Sequence, residues 1–182
     1  MVQSAVNRNV NQTRPVRDCI LGTRIIGDAT MNAVVTANLV PAVGSARVNV
    51  SLVGHIVSKN IGYNGPVRLR TVGYGDVNVW RSVSVNESGI TLEPAYSRAV
   101  LKTEITAIEH KLGLVRKIAK KRAAQQKPQA DKIAVEKMGN QVGGLFATKT
   151  SEMTSMAPPD LLEKIRPVLK RLSLEEPTRY WG

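Results

Sequence analysis

Ala46-Arg47-Val48-Asn49-Val50-Ser51-Leu52-Val53-Gly54-His55-Ile56-Val57 is the stretch on which the fold turns. Val48, Val50, Leu52 and Ile56 fall on one parity, and Arg47, Asn49, Ser51 and His55 fall on the other. Successive side chains of a β-strand point to opposite faces, so a period of two builds a strand with one buried and one wet face. The same alternation extends in both directions. Asn32 to Val40 places Ala33, Val35, Ala37 and Leu39 in register, and Pro41 and Gly44 then turn the chain back. Pro66 to Gly73 sets Val67 and Leu69 against Arg68 and Arg70. Asp76 to Val85 sets Val77, Val79, Val83 and Val85 against Asn78, Trp80, Ser82 and Ser84. Cys19 to Ile26 and Gly89 to Leu92 are shorter candidates. Connections this short join antiparallel neighbours, because parallel pairing needs a crossover of about a dozen residues. Five or six strands in a meander are expected over residues 19–92.

Beyond Glu93 and Pro94 the apolar period changes. Leu101, Ile105, Ile108, Leu112, Val115 and Ala119 follow one another at steps of three and four, the spacing of a helical stripe. This predicts a long amphipathic helix over 97–127, with Ser97 as its N-cap and Pro128 ending or kinking it. The helical pattern resumes over 129–138, with Gly139 as its C-cap. Residues 139–157, rich in Gly, Ser, Thr and Met, read as a linker. Residues 158–182 read as a short C-terminal helical segment that opens at Pro158-Pro159-Asp160. Residues 1–17, rich in Asn, Gln and Arg and without periodicity, read as a polar arm. The expected fold class is α+β: a domain over 18–138 in which an antiparallel meander packs against a long amphipathic helix.

Composition narrows the function classes. The chain has 182 residues, a net charge of +12 and 42% apolar residues, enough for a core and too many for wholesale disorder. Its single cysteine rules out an internal disulfide and a multi-cysteine metal site. No apolar run approaches the ~18–20 residues of a membrane-spanning helix. Residues 1–20 lack the apolar core of a signal peptide.

The strongest chemical signal is basic. Residues 98–137 carry 11 basic and 4 acidic side chains, and Arg116, Lys117, Lys120, Lys121 and Arg122 cluster within two turns. Such a face attracts phosphate, on nucleic acid or on lipid headgroups. The plain alternative is a face that keeps a helix solvated. No aromatic interleaves with these residues, which disfavours single-strand binding through them. Gly62-Tyr63-Asn64-Gly65-Pro66-Val67 reads as a turn and not a phosphate cradle, because a strand pattern follows it. Cys19 and His55 are the residue types of a thiol nucleophile and its base, but a lone strand cysteine is more often buried and inert. His110 has no ligand partner at helical spacing, and the carboxylates are scattered singly, so neither a metal site nor a cofactor is indicated.

Leu21-Gly22-Thr23, Leu52-Val53-Gly54, Gly62 to Val67 and Leu114-Val115-Arg116-Lys117-Ile118-Ala119 carry a resemblance. Over about residues 18–138 the chain resembles a group of uncharacterised bacterial proteins of the planctomycete type that are predicted to be exported. The resemblance implies a periplasmic or envelope setting, as part of a larger envelope protein, and transfers no catalytic residue. The leading expectation is a non-enzymatic binding or structural domain. Its rivals are a nucleic-acid-binding module using the basic stretch 98–127 and, more distantly, a hydrolase built on Cys19 and His55.

Overall fold

The computed structural model describes residues 6–41, 46–86 and 89–155. The segment 158–182, expected to be helical, lies outside the described residues. Six antiparallel strands come first: β1 (Val6–Ile20), β2 (Thr23–Val40), β3 (Ala46–Asn64), β4 (Val67–Asn86), β5 (Gly89–Leu92) and β6 (Tyr96–Glu109). One helix, α1 (Gly113–Ser155), follows them. The sheet order is β1-β2-β3-β4, with β5 and β6 sharing the far edge of β4. The expected antiparallel meander packed on a long helix is therefore the architecture. The strands are longer than the alternating stretches suggested, because each stretch extends across its flanking residues into a ladder of 18 to 20 residues in β2, β3 and β4.

Two tight turns set the register. Leu21 and Gly22 both take positive φ, 50° and 74°, the geometry of a two-residue turn whose twist matches its strands. Gly65 at φ 55° does the same between β3 and β4, while Gly62 lies inside β3. From these turns the expected faces follow. Ala33, Leu52, Ile56, Val77 and Val79 gather on one side of the sheet, with Phe146 of α1 packed among them as the core.

The helix side of the sheet is concave. Lys137 on α1 pairs with Asp18 on β1 at 2.5 Å, and two residues further the helix passes Ala99 on β6, at the opposite edge. The sheet curls until both its edges meet the same turn of helix. Curling crowds the inner face, and β2, β3 and β4 carry Gly27, Gly54, Gly62, Gly73 and Gly75 on that parity. A Cβ on Gly54 would lie 2.8 Å from that of Ala33, and a Cβ on Gly75 would lie 2.7 Å from the Val100 carbonyl oxygen. Gly75→Ala should therefore cost about 1–3 kcal/mol by forcing β4 and β6 apart, measured as a shift of the urea midpoint. An unshifted midpoint would mean that the curl is not set by inner-face crowding.

Four expectations are corrected. Residues 1–17 are not an arm: from Val6 onward they form most of edge strand β1, where Val10 packs on the core and Pro15 is tolerated because its missing N–H can face away from β2. The helix over 97–127 is not present as expected, because 96–109 is β6 and the helix begins at Gly113. The reason is parity. Ala99, Leu101, Thr103 and Ile105 face inward at every second position, and an irregularity opposite Arg70 and Thr71 then moves Ile108 to the inward side. Inward positions 101, 105 and 108 thereby reproduce helical steps of four and three. Ser97 consequently lies on β6, and His110 sits in the connector, where its Nδ1 accepts from the Leu112 N–H.

The third correction is Pro128, which lies within α1 without ending it. Its ring removes the bond to the Ala124 carbonyl, and both residues are on the exposed side, where water can take that acceptor. The fourth is the linker at 139–157, which is helix as far as Ser155. Gly139 is not a C-cap. It and Gly143 let the helix approach Ser97 and Ala99 of β6, where added Cβ atoms would lie 3.3–3.7 Å from those side chains.

Candidate functional site

Among the described residues, no element packs on the outer face of the sheet. By register, its rows read across the strands as Cys19, Arg24, Tyr63, Arg68 and Glu109; then Arg17, Ile26, Ile61, Arg70 and Ala107. Further along lie Thr13, Thr30, Val57, Tyr74 and Lys102, and then Asn7, Thr36, Ser51, Trp80 and Tyr96. Each position is dictated by the alternation that buries its neighbours.

All four aromatic residues of the described strands, Tyr63, Tyr74, Trp80 and Tyr96, fall on this wet face. Phe146 is the aromatic of the core. That distribution inverts the usual economy of a fold, in which large rings fill the interior. The Tyr63 ring lies between two guanidinium groups, Arg24 at 5.4 Å and Arg68 at 5.7 Å from its centroid. Trp80 and Tyr96 stack with centroids 6.1 Å apart. Between these ends stand Tyr74 on β4 and Arg98 and Lys102 on β6, all exposed. Arg70 is held by Glu109 at 2.5 Å, and Lys102 lies 3.4 Å from Glu104. From Arg68 to Trp80 the track is twelve residues of β4, or about 40 Å.

A second polar line crosses the middle of the face: Asn11, Asn32, His55 and Asp76, from four adjacent strands. It borders a shallow groove, and His55 Nδ1 lies 2.9 Å from Asp76 Oδ1. Asparagine and histidine side chains offer both donors and acceptors to a ligand laid across them.

The five basic residues expected to bind anions, Arg116, Lys117, Lys120, Lys121 and Arg122, occupy the first turns of α1 and are all exposed. Arg116, Lys117, Lys120 and Lys121 share one sector of the helix and Arg122 projects to another side, all of them apart from the aromatic residues of the sheet. Cys19 and His55 are not brought together. Both lie on the outer face, but Cys19 is level with Tyr63, eight residues along β3 from His55, or about 27 Å. Cys19 is also exposed on edge strand β1 and not buried as expected. Among the described residues no three metal-ligating side chains cluster, and no helix is long and apolar enough to cross a membrane.

What the linear reading missed is the interleaving of aromatic with basic residues. Along the chain Tyr63, Trp80 and Tyr96 have no basic cluster beside them; across the strands, Arg24 and Arg68 flank Tyr63. The only linear signal was the parity of Trp80, which alternates with buried valines and so had to point to water. Comparison with protein-family models, with curated proteins and with solved structures gives no match.

Proposed function

We propose that this chain is a non-enzymatic binding domain whose ligand is a single-stranded nucleic acid laid along the outer face of the sheet. The observation that carries the reading is the placement of Tyr63, Tyr74, Trp80 and Tyr96 on the wet face among Arg24, Arg68, Arg98 and Lys102. Exposed rings offer stacking platforms for bases, and the cations between them take the phosphates of a flexible strand. A duplex could use the cations but not the rings, since its bases are already stacked on one another. The net charge of +12 brings any polyanion toward the protein.

Fluorescence anisotropy with a labelled oligonucleotide, titrated with salt, tests this. Trp80→Ala with Tyr96→Ala should weaken single-strand binding by about tenfold or more, since base stacking contributes ~1–3 kcal/mol per platform. The salt slope should stay nearly unchanged, because the phosphate contacts survive. Wild-type affinity in this variant would remove the sheet face from consideration. If replacing Arg116, Lys117, Lys120 and Lys121 by Gln instead abolished most of the salt slope, the nucleic-acid site would be the basic helix.

A further inference from the structure

The basic turns of α1 have companions that the sheet face lacks. Leu112, Leu114 and Ile118 are 62%, 72% and 60% exposed, in a stretch of chain that also carries Lys111, Arg116, Lys117, Lys120, Lys121 and Arg122. No acidic residue occurs between Glu109 and Asp131. At 100° per residue, the half-buried Val115, Ala119 and Ala123 mark one side of the helix. Leu114 and Ile118 stand on the opposite side, with Lys117 and Lys121 on one flank and Arg122 on the other, while Arg116 and Lys120 point away from them.

We propose that this face of α1 docks on an anionic lipid surface, with Lys117, Lys121 and Arg122 on lipid phosphates and Leu114 and Ile118 entering the headgroup layer. Charge complementarity selects the occupant. A second copy would set Lys117, Lys121 and Arg122 against the same three cations. A nucleic acid would satisfy the cations but offer nothing to two exposed aliphatic side chains that have no ring beside them. A headgroup layer takes both, since anionic phosphates lie above an apolar interior and long basic side chains snorkel to reach them. This docking is independent of the sheet face, whose rings stand on strands and not on α1.

Cosedimentation of the full chain with phosphatidylglycerol-containing vesicles and with phosphatidylcholine vesicles tests the proposal. Wild type should bind the anionic vesicles and leave the neutral ones. Leu114→Ala with Ile118→Ala should lower vesicle affinity by about tenfold and make the remainder more salt-sensitive, since only the electrostatic part survives. Both positions are exposed and alanine is a good helix former, so the fold is retained, checked by circular dichroism. Single-strand binding by this variant should be unchanged, and the Trp80→Ala, Tyr96→Ala variant should keep its vesicle binding. Undiminished vesicle binding after loss of Leu114 and Ile118 would overturn the proposal. So would an oligomer, seen by sedimentation in wild type, that the same variant dissolves, because the occupant would then be a second copy.

Discussion

Arg81→Ala is expected to lower the unfolding free energy by about 3–4 kcal/mol in a urea titration, with Arg81→Lys recovering less than half of that loss. Arg81 is 7% exposed and sits at an inward position of β4, between Val79 and Val83. Its Nε and Nη2 both donate to the Glu93 carbonyl, at 3.0 and 2.7 Å. Its Nη1 donates to the Ala147 carbonyl at 3.2 Å, the Thr150 hydroxyl at 2.8 Å and the Ser151 hydroxyl at 3.2 Å. Among the described residues no carboxylate pairs with it, so its charge is held by oxygen dipoles alone. One planar fork thus ties the break between β5 and β6 to the C-terminal part of α1. Truncation leaves the Glu93 carbonyl without those donors and a void between sheet and helix. An ammonium cannot reach both sides at once. Hydrogen exchange should show the loss first at β5 and near residues 147–151. A melt within half a kcal/mol of wild type would mean that water replaces the guanidinium there at little cost.

Phe146→Ala should cost about 3–5 kcal/mol, the usual range for deleting a buried ring. Phe146 is the buried aromatic of the described core, packed with Ala33, Leu52, Ile56, Val77 and Val79. Those partners are small or medium-sized, and glycines line the same concave face, so neighbouring side chains cannot collapse into the space the ring leaves. The deletion should also loosen α1, because Phe146 is its buried side chain in the core, flanked by the partly buried Met138 and Val142. Near-native stability would show that the helix is held by its contact with β6 alone. Phe146→Leu, which keeps much of the volume, should cost less than half as much.

The sequence and the tertiary structure divided the problem unequally. Strand parity over 32–40, 46–57, 66–73 and 76–85 was legible because burial on one face imposes a period of two within a few residues. The same parity placed Trp80 outside, but Arg81, a cation on the apolar parity, gave no hint of its partners 12 and 66–70 residues away. Edge strand β1 was illegible because its outer face is polar and its inner face is covered only near Val10, Val16 and Ile20, so pairing with β2 sets it more than any local pattern. β6 carries a helical signature in the sequence because a ladder irregularity shifts its inward positions onto helical spacing.

The basic surface of α1 was visible as a linear cluster; its exposed Leu114 and Ile118 were not, since only packing decides which apolar residues stay wet. By itself the sequence determined the α+β class, the antiparallel pairing and the two faces of the sheet, because each follows from side-chain alternation and short turns. Only the tertiary structure decided which residues from different strands lie side by side, and with that the Arg24–Tyr63–Arg68 sandwich and the curl of the sheet onto the helix. The reason is physical: alternation is set by neighbours in the chain, whereas juxtaposition across strands is set by register between residues up to 41 positions apart.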